Sequence, residues 1–221
     1  MDGKAARVAE IFSGEKIFNI KLSIRGIFLG VVATFIASCA APDMEHHIVV
    51  SAREQKLALL DKGNLIATYP ISTSKFCLSD RPGSYGTPLG ELEIANKIGD
   101  GAPLGAVFKD RHRTGEVIPV NAPGRDPIVT RILWLRGREA QNRNAFARDI
   151  YIHGTPEERN IGRRASYGCI RMRSADIINL YSIVGTGARV TIVDAPLSSV
   201  IAGLTNAHSM DDANHAGMVI R

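Results

Sequence analysis

The sequence predicts a mostly β domain, a β-sandwich or partly open barrel with one packed α-helix, and three observations carry that expectation. Short apolar-rich runs recur between turn residues, as in "HHIVVSA", "QKLALLD", "KGN" and "LIATYPIST". Leu92 and Ile94 alternate with Glu91 and Glu93, the period of a strand with one wet face. Only "SADIINLYSIVG" has the spacing of an amphipathic helix. At 221 residues the chain is long enough for one sizeable core.

Taken in order, residues 39–45 form a linker and residues 46–194 the domain. His46 to Ala52 and Gln55 to Asp61 read as hairpin-connected strands, and Leu65 to Thr73 follows through the "KGN" turn. Gly86 to Lys97 supplies another strand. Residues 99–127 are rich in Gly, Pro and charge, with too little periodicity for a long element, and predict a long excursion lining a groove. Val129 to Gly137 and Arg148 to Gly154 are the next strands. In the helix, Ser174 is the expected cap, Asp176 suits the N-terminal dipole, and Ile177, Ile178, Tyr181 and Val184 share a face before Gly185. Ala188 to Asp194 returns as a strand. Residues 195–221 predict a tail with a short helix and a mobile end.

Formal charge is +5. Five Lys/Arg and three Asp/Glu lie in the first 38 residues, so the remainder carries 22 basic against 19 acidic side chains, or +3. That balance suits an anionic polymer as substrate. It lacks the dense basic stripe with stacking aromatics that nucleic-acid binding requires, and no nucleic-acid partner is expected.

From Gly26 to Pro42, seventeen residues pass without a charge after Lys21 and Arg25. This is the order of a secretory signal. Its apolar heart, Ile27 to Ala37, is eleven residues long, well short of the roughly 20 that span a bilayer. Small residues precede Cys39 in "IASCA", which resembles the lipobox of bacterial lipoproteins. By that resemblance residues 1–38 are a signal peptide and Cys39 is the lipidated first residue of a periplasmic, membrane-anchored protein. Ala40 after it implies the outer membrane of a Gram-negative bacterium. Ordinary cleavage near Ala40 would instead leave a soluble exported protein.

The chemistry concentrates in "ASYGCIRM", Ala165 to Met172, where Cys169 follows His153 by sixteen positions. Strand parity sets Tyr151 and His153 opposite Ile150 and Ile152, and Cys169 with Arg171 opposite Ile170 and Met172. With the apolar partners inside, Cys169, His153 and Arg171 would stand on non-core faces. Free cysteine is also among the most buried residue types, so a packed thiol and a nucleophile both stand as readings. A nucleophile that is mostly thiolate at neutral pH needs its pKa lowered from about 8.5 to about 6.5, roughly 2.7 kcal/mol of differential stabilisation. An imidazolium at His153 and the charge of Arg171 would supply it. Gly168 admits close backbone approach, and N–H groups at such a turn can stabilise an oxyanion.

The run "HGTPEERNIGRRASYGCIRM" resembles the L,D-transpeptidase catalytic domain family, the YkuD-type domain, in its His-Gly, gap, Ser-x-Gly-Cys-hydrophobic-Arg order. "TYPISTS", "TPLGELEI" and "VTRILWL" are similar to the family's upstream strands and its Thr-Pro-x-Gly turn. The resemblance spans roughly residues 46–194. It implies Cys169 as nucleophile, His153 as base oriented by the Gly154 carbonyl, and an oxyanion hole from the N–H groups of Tyr167, Gly168 and Cys169. Arg171 would hold a substrate carboxylate or brace the site, Ser166 would position the turn, and Tyr85 would wall the cleft. Many members carry His where this chain has Tyr167.

The implied reaction is acyl transfer on peptidoglycan stem peptides. Cys169 attacks the carbonyl at the L-centre of the third residue of a tetrapeptide and expels D-Ala. An amine of another stem, or a lipoprotein's terminal lysine, resolves the thioester. Water as acceptor would make the protein an L,D-carboxypeptidase or an enzyme that detaches murein-bound lipoproteins, and a non-catalytic wall-binding lipoprotein is the third reading. No metal or organic cofactor is implied.

Other residues read as follows. Cys77 is expected as a free thiol, a bridge to Cys169 being the pairing to exclude in an oxidising compartment. His46 and His47 read as surface residues, His112 as a solvated loop side chain and Trp134 as core. His208, His215, Asp211 and Asp212 read as polar tail rather than metal ligands.

Overall fold

A computed structural model describes residues 41–205. Among the described residues one sheet contains ten strands: β1 (His46–Ser51), β2 (Lys56–Asp61), β3 (Asn64–Pro70), β4 (Gly90–Ile98), β5 (Ala106–Lys109), β6 (His112–Val117), β7 (Ile128–Gly137), β8 (Tyr151–Gly154), β9 (Ile170–Met172) and β10 (Arg189–Val193). Their order is β3-β2-β1-β10-β4-β7-β5-β6, and the sheet branches at β7, which also pairs with β8, itself paired to β9. The pairs β1–β10 and β8–β9 are parallel and the others antiparallel. The sheet does not close on itself, as expected for a partly open all-β architecture.

Inward residues of eight strands meet in one cluster, including Ile48, Leu59, Leu92, Leu133, Ile152 and Ile170, all fully buried. The helix α1 (Ser174–Ile183) closes it with Ile177, Leu180, Tyr181 and the following Val184. Truncating one such Leu or Ile to Ala costs about 2–5 kcal/mol. β1 is apolar on both faces for a reason. Ile48 and Val50 face that cluster, while Val49, with Ala58 and Leu60 of β2, meets Leu197, Val200, Ile201 and Leu204. Those four lie on a second helical segment, within 197–205, which packs on the sheet. The short helix expected after residue 195 is therefore present, and it is docked.

Four expectations are corrected or refined. The stretch 99–127, expected as a long excursion without a long element, contains a hairpin of two short strands, β5 and β6. β6 is exposed throughout, so its sequence carries no apolar period to announce it. Ser174 is not the cap of α1: Arg173 holds that position, and the Ser174 N–H donates to Glu158 Oε1 at 2.8 Å. Leu180, not Ile178, completes the buried stripe. His47 is buried: its Nε2 pairs with Thr191 Oγ1 at 2.6 Å and its Nδ1 with Arg189 Nη2 at 3.3 Å. Burial first, then the Arg189 charge, lowers its pKa to about 4, so the ring is neutral.

The end of α1 is satisfied by a side chain from the sheet. Lys97 Nζ donates to the carbonyls of Tyr181 at 2.8 Å and Val184 at 2.6 Å, placing a cation on the negative end of the dipole. This fixes the helix that follows β9, the strand entered from Cys169.

Candidate active site

The parallel register of β8 and β9, Ile152 opposite Ile170 and His153 opposite Arg171, brings the histidine strand beside the cysteine turn. Ile170 and Met172 are fully buried, as parity requires. The opposite face is not open, however: Tyr151, His153 and Arg171 are 4, 5 and 9% exposed. Tyr151 is covered by the unforeseen β5–β6 region, whose Ala102, Ala106 and Phe108 pack with it and Ile132, and Cys169 packs against them half-buried; Arg171 is closed off by its pairing with Asp126.

His153 Nδ1 lies 2.8 Å from the carbonyl oxygen of its neighbour Gly154. A carbonyl only accepts, so Nδ1 carries the proton and Nε2 is left as the basic nitrogen. Burial lowers the pKa to about 4, against the opposing effect of the Gly154 bond, and Arg171 depresses it further. The imidazole is neutral at pH 7. Glycine is required at 154 because a Cβ there would stand 2.6 Å from the Val129 carbonyl oxygen.

The Cys169 thiol donates to the Asp149 carbonyl at 3.4 Å, and no hydrogen bond joins it to His153. Burial pushes its pKa up to about 11, opposed by the Tyr151 N–H and by Arg171. The expectation of a thiolate stabilised by imidazolium is thus corrected. Covering of the site disfavours both charges, and the resting pair is thiol and neutral imidazole.

Ser166 organises the turn: its Oγ donates to the Cys169 carbonyl at 2.6 Å and accepts from the Gly168 N–H at 3.2 Å. Of the three N–H groups expected to face an oxyanion, that of Gly168 is thereby engaged, while those of Tyr167 and Cys169 make no hydrogen bond among the described residues. Gly168 sits at φ +124°, and a Cβ there would lie 3.1 Å from the Gly86 carbonyl oxygen.

Several residues supporting this turn escaped the sequence analysis. Thr87 Oγ1 donates to the Gly168 carbonyl at 2.9 Å and accepts from the Ser74 N–H at 3.0 Å. Arg148 donates to Asp80 Oδ1 at 2.8 Å and to the Gly86 carbonyl at 2.8 Å. Thr87 belongs to the "TPLG" motif, a signal that was available; Asp80 and Arg148 carried none.

Arg171 forms an ion pair with Asp126 at 2.7 Å, and Thr155 Oγ1 donates to the other Asp126 oxygen at 2.6 Å. Of its two expected roles, the geometry favours the brace. Cys77 and Cys169 are both free thiols. His112 is exposed at the start of β6. Trp134 is half-buried, stacked on Phe146 with centroids 4.0 Å apart. Tyr85 and Tyr167 are exposed beside the turn. Cys39, His208, Asp211, Asp212 and His215 lie outside the described residues.

A mostly β domain with a thiol and a carbonyl-oriented imidazole at neighbouring strand ends defines a class with the residues for acyl transfer through sulfur. Comparison with known proteins makes this particular. The chain belongs to the YkuD family: residues 45–192 match its L,D-transpeptidase catalytic domain. It is 32% identical over 149 residues to the putative L,D-transpeptidase YkuD of Bacillus subtilis, covering 66% of this chain and 65% of that one. It is 28% identical over 174 residues to the probable L,D-transpeptidase YbiS of Escherichia coli, covering 77% and 52%. The chain therefore spans between about half and just under two thirds of these curated relatives. A solved L,D-transpeptidase from Xylanimonas cellulosilytica aligns over 70% of this chain and 62% of its own, at 15% identity and a TM-score of 0.45.

Proposed function

We propose that this protein is a peptidoglycan L,D-transpeptidase with Cys169 as nucleophile and His153 as its base. The observation that carries the reading is the His153 tautomer. With Nδ1–H tied to Gly154, Nε2 is basic, without a hydrogen bond among the described residues, and one strand away from the thiol.

The resting thiol and imidazole are neutral, so attack and proton transfer are coupled. As Sγ adds to the carbonyl at the L-centre of the third stem residue, its proton passes to His153 Nε2. Negative charge on the former carbonyl oxygen is met by the N–H groups of Tyr167 and Cys169. Collapse breaks the bond to D-Ala, whose amine takes the proton from His153, leaving a thioester. An incoming amine then attacks, gives a proton to Nε2 and expels Sγ, which is reprotonated. Transient imidazolium is stabilised by the Gly154 carbonyl.

Residues 1–38 act as the export signal in this reading, and Cys39 carries the lipid that holds the domain at the periplasmic face of the outer membrane. Mass analysis of the protein purified from its host membranes should find acyl chains on Cys39; an unmodified N-terminus removes the anchor. The activity is tested by incubating the protein with disaccharide tetrapeptide. Cross-linked dimers are expected, and tripeptide alone would identify a hydrolase. If Cys169→Ala leaves all wall products unchanged, the domain is not the catalyst.

A further inference from the structure

Three exposed rings stand beside the Cys169 turn. Phe76, Tyr85 and Tyr167 are 52, 58 and 56% exposed, yet they touch one another. Ring centroids are 5.3 Å apart for Phe76–Tyr167, 5.8 Å for Phe76–Tyr85 and 6.0 Å for Tyr85–Tyr167. Single exposed apolar residues are ordinary, but three in contact make a patch with a purpose to be found.

The backbone beneath the rings is tied to the nucleophile turn. The Lys75 N–H donates to the Ser166 carbonyl at 3.1 Å. Ser74 Oγ donates to the Tyr85 carbonyl at 2.7 Å, and Tyr85 itself is held at φ +53°, a conformation uncommon outside glycine. The rings are therefore presented from fixed positions.

One cation belongs to the patch. Lys75 Nζ donates to the Tyr167 hydroxyl at 3.0 Å and lies 4.3 Å from the Tyr167 ring centroid and 5.2 Å from that of Phe76. Three guanidinium groups tied to this corner are committed: Arg171 to Asp126, Arg148 to Asp80 and Arg111 to Asp149. Lys75 has no carboxylate partner among the described residues. An ammonium has three protons to donate, and only one is used on a side chain here.

We propose that Lys75 and Tyr167, walled by Phe76 and Tyr85, form a subsite for a carboxylate borne on an aliphatic stem residue of the substrate. The ammonium and the phenol donate to the two carboxylate oxygens, and the rings pack the methylenes beside them. The inference rests on the transpeptidase reading. Such a carboxylate has two sources, the donor stem and the carbon next to the acceptor amine, and both are served by the same chemistry.

The test is steady-state kinetics of Lys75→Met, Lys75→Arg and Tyr167→Phe. Each is assayed with donor tetrapeptide and with two acceptors, a D-amino acid and the amine left by its decarboxylation. Lys75→Met should raise KM about tenfold, the effect of losing one charge-assisted hydrogen bond, with kcat within about threefold. Lys75→Arg should restore most of the loss. A rise in donor KM assigns the carboxylate to the donor; lost preference for the D-amino acid over its decarboxylated amine assigns it to the acceptor. Unchanged KM for both substrates, or a fall in kcat alone, overturns the subsite. Calorimetric binding of tetrapeptide to Cys169→Ala, with and without Lys75→Met, separates the two ideas. Wild-type protein that forms no Cys169 adduct removes the transpeptidase reading, whereas tetrapeptide binding and acceptor preference that both ignore Lys75→Met remove the subsite.

Discussion

The Cys169 thiol is hydrogen-bonded to the carbonyl of Asp149 at 3.4 Å rather than to His153. Asp149 is held at φ +56° and paired with Arg111, so the acceptor is part of a fixed corner. A thiol that donates to a carbonyl in a covered site gains nothing from ionising, which agrees with its pKa of about 11.

Alkylation should report this directly. With iodoacetamide, the rate at Cys169 is expected to keep climbing with pH towards about 11 rather than level off near 6.5. Acylation by substrate should nevertheless be efficient near neutrality, because His153 takes the proton during attack. A plateau of alkylation by pH 7, seen by mass of the Cys169 peptide, would establish a resting thiolate instead.

Gly154 is the second point of leverage. In Gly154→Ala the new Cβ would lie 2.6 Å from the Val129 carbonyl oxygen, so β8 must shift and carry His153 with it. Overpacking of this kind costs about 1–3 kcal/mol of stability. A displacement near 1 Å at the base lowers kcat by about a hundredfold. Denaturant melts and single-turnover acylation check the two effects separately. Full acylation in a destabilised protein would mean that the base tolerates movement.

Acid should weaken the fold in a defined window. His47 and His153 each have a pKa lowered to about 4, against 6.5 in an unfolded chain. Between those values the unfolded chain binds protons that the fold excludes, so stability is fully present above pH 6.5 and falls as pH drops towards 4. Each imidazole accounts for on the order of 3 kcal/mol at most. Urea unfolding at pH 7 and pH 4.5 measures the loss. His47→Gln should shrink it, since an amide does not titrate; an unchanged difference would place the acid sensitivity elsewhere.

The Arg148–Asp80 pair predicts a different signature. Both side chains are largely buried, at 11 and 3% exposure, and Arg148 also holds the Gly86 carbonyl that crowds Gly168. Arg148→Met leaves the Asp80 charge without its partner and should cost about 3–5 kcal/mol. Arg148→Met with Asp80→Asn should recover part of that stability but not the acylation rate, because Gly86 remains untethered. Thermal melts and acylation kinetics of the single and double variants test the split.

The sequence was most legible where one face of a strand is buried. Ile170 and Met172 announce their side by alternation, and the family motif names Cys169 and His153. It was least legible where burial comes from a distant segment. Nothing in "YIHGT" shows that Ala106 and Phe108 will pack on Tyr151, so parity gives the correct side of the strand but not its burial. His47 escaped for the same reason, since its Thr191 and Arg189 partners lie 144 and 142 residues away. Asp80, Arg148 and Asp126 are polar residues in loops, where position along the chain says little about pairing in space.

Arg171 offers a decisive choice between its two expected roles. An arginine that grips a substrate carboxylate should, when lost, raise KM and leave stability near that of the wild type. Here the Arg171 side chain is buried and already engaged by Asp126, which in turn accepts from Thr155 beside the His153–Gly154 strand end. A bracing residue makes its partner equally important. Asp126→Asn should therefore reproduce much of the Arg171→Lys phenotype, each losing about 1–3 kcal/mol of stability and lowering kcat more than it raises KM. The double variant should be little worse than either single, since one interaction is removed in both cases. Equilibrium unfolding and the kcat and KM of all three proteins decide it: a KM effect confined to Arg171→Lys, with Asp126→Asn silent, would return Arg171 to the substrate.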